Sequence, residues 1–136
     1  MLGPLTHAGL CELMTHAGSV HVAELIDRDA LAQFCDEHRV CLAIIDLRET
    51  DSVSELVRQI ASTGLIPAYT GANFDALDDS LMDAPDDVAG HILVGLGGVE
   101  FLQKQPTLAV GLMRSWFSGA RFWGQSGRPF HLILVD

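Results

Sequence analysis

Basic residues are scarce in this sequence. Lysine and arginine together number 8 against 18 aspartates and glutamates, so the formal net charge is −10 at pH 7. Between Arg58 and Lys104 there is neither a lysine nor an arginine. Because the phosphate backbone of a nucleic acid requires a basic protein surface, this balance argues against a direct nucleic-acid partner and is compatible with a basic protein partner.

Long apolar runs and paired cysteines are also lacking. No apolar run approaches the roughly 18 residues that a membrane-spanning helix needs, and the start, Met1–Pro4, lacks the basic and apolar regions of a signal peptide. Cys11, Cys35 and Cys41 are an odd number without metal-ligand spacing and are interpreted as reduced thiols. We therefore expect a soluble, cytoplasmic protein that does not contact membranes, and its oligomeric state stays open.

Recognisable catalytic and cofactor motifs are missing. The glycine-rich segment VGLGGV (Val94–Val99) lacks the Gly-Lys-Ser/Thr ending of a phosphate loop, and its GxGxxG pattern is incomplete. The six histidines form no recognisable constellation with a cysteine or serine. His91 and His131, which adjoin or lie in apolar runs, are interpreted as structural. We therefore expect no enzyme activity, no catalytic residue, no cofactor and no metal ligand.

Apolar runs separated by helical patterns are present, and they predict the fold. Val40–Asp46, His91–Leu96 and Phe130–Val135 are continuous apolar runs, as strands buried on both faces are. A helix with its N-cap at Ser52 follows the first run, and a helix over Pro106–Trp123 separates the last two. This alternation favours one small α/β domain of two or three layers, with at least three parallel strands covered by helices.

Patterns at the two ends of the chain complete the predicted fold. Residues 1–18 are expected to be the least structured part, followed by a short strand near Val20–Leu25 and an amphipathic helix over Arg28–Arg39. The C-terminal aromatic residues are interpreted as core side chains at helical spacing, one of which could border a surface site: Trp116, Phe117, Phe122 and Trp123.

Six aspartates are concentrated in the stretch Tyr69–Asp87, which we call the acidic segment. Asn73 is a good N-cap for a helix over Phe74–Met82, and Gly71 can supply the preceding turn. Phe74, Leu77 and Leu81 share the apolar face of that helix, at positions i, i+3 and i+7. Asp75 and Asp79 then share a neighbouring face, with Asp78 and Met82 beside them.

The aspartates of this helix differ in what folding gains from them. A carboxylate in the first helical turn, such as Asp75, is stabilised by about 0.3–1 kcal/mol through the helix dipole. Asp79 lacks that position, and a like-charge pair four residues apart costs a few tenths of a kcal/mol.

Several interpretations of these carboxylates stay open. The bland one is a solvated helix face. A second is an oxygen-ligand site for Mg²⁺ or Ca²⁺, although the spacing matches no EF-hand loop. A third is a surface that presents carboxylates to arginines and lysines of a basic partner. A paired-carboxylate hydrolase is less supported, because no aromatic-lined sugar cleft is indicated.

The segment IPAYTGANFDALDDSL, Ile66–Leu81, resembles the signature of the barstar family, intracellular inhibitors of barnase-type ribonucleases. It aligns without a gap on the family pattern Pro-x-Tyr-x-Gly-x-Asn-x-Asp-Ala-Leu-x-Asp-x-Leu. The matching positions are Pro67, Tyr69, Gly71, Asn73, Asp75, Ala76, Leu77, Asp79 and Leu81. The ending ARFWGQSGRPFHLIL, Ala120–Leu134, is also similar to that of many family members. The resemblance covers about residues 40–136, predicted as the barstar-like domain, and residues 1–39 are interpreted as an N-terminal extension packed on it.

The resemblance implies a three-stranded parallel sheet with helices, to which residues 1–39 could add a strand and a helix. It also implies that the acidic helix occludes the phosphate-binding active site of a basic ribonuclease or related toxin. The alternative is an acidic interaction or regulatory domain for another basic protein. Two positions differ from common family members, which carry aromatics where this chain has Asp78 and often Thr70. The predicted partner-binding residues are Tyr69, Gly71, Asn73, Phe74, Asp75, Asp78, Asp79, Met82 and Asp83.

Overall fold

A computed structural model describes residues 6–24 and 26–136 of the chain. Along the described residues, helices alternate with single strands or follow one another in pairs. In chain order the elements are α1 (His7–Leu13), β1 (Val20–Ala23), α2 (Arg28–Glu37), β2 (Val40–Asp46), α3 (Val53–Ser62), α4 (Phe74–Leu81), β3 (Gly90–Leu96), α5 (Gly98–Lys104), α6 (Pro106–Gly124) and β4 (Phe130–Val135).

The strands form one parallel sheet in the order β1-β4-β3-β2. The predicted α/β class and the parallel pairing of β2, β3 and β4 are confirmed. The sheet has four strands rather than the three that the family resemblance implies, because β1 adds to the free edge of β4. Val20 lies opposite Leu132, and Ala23 lies opposite Val135.

Helices cover both faces of this sheet, so the domain has three layers. Leu93 of β3 faces the larger core, which α3, α4, α5 and α6 enclose. Its neighbours Ile92 and Val94 face the smaller core, which α1 and α2 enclose. A strand with apolar side chains on both faces appears in the sequence as an unbroken apolar run. For this reason the three apolar runs predicted the positions of β2, β3 and β4 correctly.

The N-terminal part is more ordered than its sequence indicates. Residues 7–13 form α1 within the stretch that was expected to be the least structured, which corrects that expectation. Thr6 caps the helix by accepting a hydrogen bond from the Gly9 amide at 3.1 Å, and Leu10 and Leu13 are buried against the sheet. The first part of the predicted flexible start, residues 1–5, and the predicted strand end at residue 25 lie outside the described residues.

Two further boundaries differ from the sequence prediction. The chain forms α5, a helix that the sequence analysis did not predict, from the end of the glycine-rich segment, and Gly97 precedes this helix with a φ of 68°, a left-handed conformation that suits glycine. The second helix ends at Glu37 rather than at Arg39, whose own φ of 57° cannot continue a right-handed helix. In the part of the chain that the structure describes, no helix has the length and apolar character needed to cross a membrane.

Candidate partner-binding site

The acidic segment lies between α3 and β3, and its helix α4 packs on α6. Leu77 and Leu81 are fully buried, which confirms them as the apolar face of α4. Phe74, the third predicted member, is half-buried, with its ring so close to Gly111 of α6 that a β-carbon there would lie 2.3 Å from the ring. The end of α4 is fixed by Trp123, whose indole Nε1 donates to the Leu81 carbonyl at 3.0 Å.

Short hydrogen bonds hold the loop that precedes α4. The Asn73 side chain accepts from the Ala76 amide at 2.7 Å, which confirms Asn73 as the N-cap. Thr70 bonds both to the Pro67 carbonyl, at 2.7 Å, and to the Ser80 hydroxyl, at 2.9 Å. The loop is therefore tied back to the helix it introduces.

Tyr69 stands at the tip of that loop with 87% of its surface exposed. A tyrosine ring brings a large apolar area with a polar end, and it loses little conformational freedom when it is fixed. Thr70, beside it, is half-buried and satisfied within the loop. Thr70 thus fastens the loop, and Tyr69 is its exposed aromatic side chain.

The aspartates of α4, and Asp83 just after it, form no ion pair within the described chain. Asp75, Asp79 and Asp83 are exposed, whereas Asp78 is half-buried. Among the residues described, the ion pairs are Asp46–Arg48, Glu55–Arg58 and Glu100–Lys104, and all three lie outside the acidic segment. The acidic segment thus presents negative charge that the fold leaves unneutralised.

Asp46, unlike the aspartates of the acidic segment, is a carboxylate paired with a cation. Arg48 hydrogen-bonds it, with its closest contact at 2.5 Å, and this bonding lowers the pKa of Asp46 to about 2. Asp78 is in the opposite situation, because its Oδ1 is buried and has no hydrogen-bond partner among the described residues. A buried acceptor without a donor is unfavourable for folding, so Asp78 has no evident stabilising role.

A shallow groove continues the site beyond α4. It is lined by Met82, Asp83 and Asp86 from the segment after α4, and by Phe122 and Arg128 from the end of α6 and the loop after it. Phe122 is 40% exposed and lines this groove, which corrects its assignment to the core.

The other three C-terminal aromatics divide between core and surface. Trp116 and Trp123 are buried as predicted, but Phe117 is 49% exposed and its assignment to the core is wrong. Phe122 and Arg128 were missed as site residues because only the packing of α6 beside the loop after α4 brings them near Met82. The one sequence signal is that Phe122 lies just off the apolar face of its helix.

The interpretation as a divalent-metal site gains no support from the geometry. Within residues 6–24 and 26–136, no three side chains of the acidic segment bring potential ligand atoms within 4.8 Å of one another.

His91, at the start of β3, is buried and interacts through Nε2 with the Pro85 carbonyl at 2.6 Å. Burial lowers the pKa of His91, so this histidine is a neutral anchor for the end of the acidic segment.

Comparisons with known proteins concern the family and the fold. The family model described as Barstar (barnase inhibitor) matches residues 40–135. No curated protein matches the sequence. Among solved structures, a chain in "Structure of Drosophila ORC bound to AT-rich DNA and Cdc6" is similar with a TM-score of 0.50 at 15% sequence identity. The match covers 93% of this chain and 43% of that one, so it spans less than half of the other chain and concerns the fold alone.

Proposed function

This chain belongs to the barstar family, and we propose that it is a non-catalytic inhibitor of a basic ribonuclease or a related basic toxin in the cytoplasm. In this proposal the acidic segment enters the enzyme's active site. Carboxylates of α4 take the places of substrate phosphate oxygens and accept hydrogen bonds from arginines and lysines. Substrate is then excluded because its site is filled.

The observation that carries the proposal is the unneutralised charge of α4 on a well-anchored framework. Asp75 and Asp79 on α4, and Asp83 just after it, are exposed without an ion pair in the described chain, while buried leucines and the Trp123 hydrogen bond hold the helix behind them. A rigid surface loses little conformational entropy on binding. Concentrated charge of one sign also speeds encounter with a partner of the opposite sign.

The predicted contact residues have distinct parts in this proposal. Tyr69 supplies the exposed ring in front of α4, and the aspartates at 75, 78, 79 and 83 supply the acceptors. Gly71 and Asn73 present the loop backbone and begin the helix. Phe74 positions α4 through its packing on Gly111, and Met82 supplies apolar contact beside Phe122.

A titration against a barnase-type ribonuclease at low and high salt tests the proposal. Asp75→Asn and Asp79→Asn should each weaken binding at least tenfold, or about 1.4 kcal/mol, and should make the association rate less dependent on salt. Asp36→Asn is the matched control, because Asp36 is an exposed acid on α2, on the opposite face of the sheet. Asp36→Asn removes the same charge, but far from α4, and it should therefore leave the affinity nearly unchanged.

Two outcomes would contradict the proposal in different ways. Equal losses from Asp36→Asn and Asp79→Asn would mean that net charge, rather than the α4 surface, determines binding. Tight binding to a basic protein without inhibition of RNA cleavage would favour the alternative, an acidic interaction domain for another kind of partner.

A further inference from the structure

A histidine, a cysteine and a second histidine converge on the face of the sheet opposite the acidic segment. His7 and Cys11 lie one turn apart on α1, and His38 is the C-cap of α2. One potential ligand atom from each of these three residues lies within 4.8 Å of the other two. No other set of three histidine, cysteine or acidic side chains among the described residues brings its potential ligand atoms this close together.

We propose that His7, Cys11 and His38 form a binding site for a transition-metal ion, for which Zn²⁺ is the probe. Imidazole nitrogen and thiolate sulfur are ligands that Zn²⁺ and neighbouring transition metals prefer, whereas Mg²⁺ and Ca²⁺ require oxygen ligands. Three protein ligands leave a fourth position for water. This site does not depend on the proposed inhibitor function.

The distances suit a tetrahedral ion. The Cys11 sulfur lies 3.7 Å from Nδ1 of His7. In a tetrahedral zinc site with bonds of about 2.0–2.3 Å, neighbouring ligand atoms are about 3.3–3.8 Å apart. The pair on α1 is therefore already at the required separation, and a ring nitrogen of the exposed His38 lies within 4.8 Å of the ligand atoms of both residues.

A buried phenylalanine holds the two histidine rings near each other. Phe34 of α2 is 3% exposed and is part of the smaller core. Its ring centroid lies 4.2 Å from that of His38 and 5.4 Å from that of His7, which meets it edge-on. Because the core fixes Phe34, both imidazoles are placed before any ion arrives, which lowers the entropic cost of binding.

The other two cysteines are poorer metal ligands. Burial raises the pKa of the Cys35 thiol to about 12 and also raises the pKa of Cys41. The thiolate is the form that binds metal, so both thiols are disfavoured as ligands. Cys11 sits half-buried at the surface, next to an imidazole. The spacing His7-x₃-Cys11 was present in the sequence, but only the fold brings in His38.

A bound ion would join α1 to α2. The short helix α1 is otherwise held mainly by Leu10 and Leu13, which it buries against the smaller core. A ligand that binds only the folded form stabilises it, and here the ion crosslinks the two helices on this face. Metal should therefore slow hydrogen exchange in α1 most strongly.

The test uses the full chain without a histidine tag, freed of metal by chelation. Titration with Zn²⁺ should show saturable binding of one ion per chain with release of the thiol proton. Titration with Co²⁺ should give a thiolate-to-cobalt charge-transfer absorption. Cys11→Ser should abolish that absorption and raise the Kd for Zn²⁺ at least about 100-fold, more than the 10- to 100-fold typical of losing a supporting partner.

Matched controls come from the same chain. His16→Gln removes another exposed histidine that follows α1, and Cys41→Ser removes a cysteine outside the cluster. Both variants should keep the wild-type Kd, whereas His38→Gln should lose affinity as Cys11→Ser does. Zn²⁺ should raise Tm for the wild type and both controls, and chelation should reverse the rise.

Three results would overturn the proposal. One is the absence of saturable Zn²⁺ binding below millimolar metal in the wild type. Another is binding that persists in Cys11→Ser, which would identify adventitious capture by exposed histidines. The third is an equal loss of affinity in His16→Gln and His38→Gln, because the proposed geometry gives no part to His16.

Discussion

The two faces of the sheet place two groups of ionisable side chains in opposite environments, exposed on one face and buried on the other. On the larger-core face, α4 directs its apolar side chains inward and leaves its aspartates at the surface without a cation in the described chain. On the other face, His131 of β4 is fully buried, and its Nδ1 lies 2.9 Å from Nε2 of His21 on β1. Negative charge is thus left at the surface on one face, whereas burial lowers the pKa of His131 and keeps it neutral on the other.

This contrast separates residues that hold the fold from residues that do not. The leucines of α4 contribute to the free energy of unfolding, and burial of His131 makes that free energy depend on this histidine staying neutral. The surface aspartates contribute little to it, although they share a short helix with those leucines. The contrast would be wrong if truncating a buried leucine left the free energy of unfolding unchanged, or if replacing a surface aspartate lowered it as much.

Leu81→Ala should give the largest loss of stability. The side chain is fully buried between α4 and α6, so its truncation leaves a cavity and costs about 2–5 kcal/mol. Urea unfolding should show a lower midpoint with an unchanged slope. Met82→Ala, one residue later and 37% exposed, is the control and should cost less than about 1 kcal/mol. Equal effects would mean that α4 is not anchored through its apolar face.

Local patterns explain why so much of this framework could be predicted. The N-cap at Asn73, the buried Leu77 and Leu81, and the strands at 40–46 and 130–135 follow from side-chain preference and periodicity within a few residues. The contact list of the partner surface came from the family signature, and it stays a prediction.

What the sequence did not predict arises from contacts between distant segments. The short helix α1 depends on burial of Leu10 and Leu13 in the smaller core, to which α2 and the distant strands β3 and β4 also contribute. Phe122 reaches the surface groove only because α6 packs beside the loop after α4. His38 joins His7 and Cys11 through the packing of α1 on α2. No pattern of period 2 or 3.6 encodes such meetings.

Acidification should destabilise the histidine face. Burial, with the charge of His21 as the next cause, lowers the pKa of His131 from 6.5 to about 4. The unfolded chain therefore binds this proton more readily than the folded chain, so the stability is complete above pH 6.5 and is lost as pH falls towards 4. At about 1.4 kcal/mol for each tenfold difference in proton affinity, the loss between pH 7 and pH 4.5 is about 2–3 kcal/mol.

Urea unfolding at the two pH values measures this effect, and His131→Leu is the variant that should reduce it. The Asp46 carboxyl, with its pKa lowered to about 2, titrates below the window and does not mimic the effect. Equal stability of the wild type at pH 7 and pH 4.5 would contradict a buried, neutral His131.

Asp78→Ala should have the smallest effect on stability, and it is the most informative about the acidic face. The buried Oδ1 of Asp78 has no hydrogen-bond partner in the described chain, so removing the carboxylate should raise the free energy of unfolding, by up to about 1 kcal/mol. The same variant should weaken partner binding if Asp78 is one of the contact acceptors. Stability and affinity would then change in opposite directions.

Asp79→Ala is the matched comparison, because it makes the same substitution one residue later on the same helix. Replacing aspartate by alanine raises helix propensity by up to roughly 0.7 kcal/mol at either position, and both changes remove one charge from the second half of α4. The gain in helix propensity is shared by both variants, so the difference between their free energies of unfolding reports on the buried oxygen of Asp78. If Asp78→Ala has the larger free energy of unfolding, the result supports an acidic surface that folding does not require. If Asp78→Ala is instead the less stable variant, Asp78 has a hydrogen-bond donor in solution and belongs to the framework rather than to the partner surface.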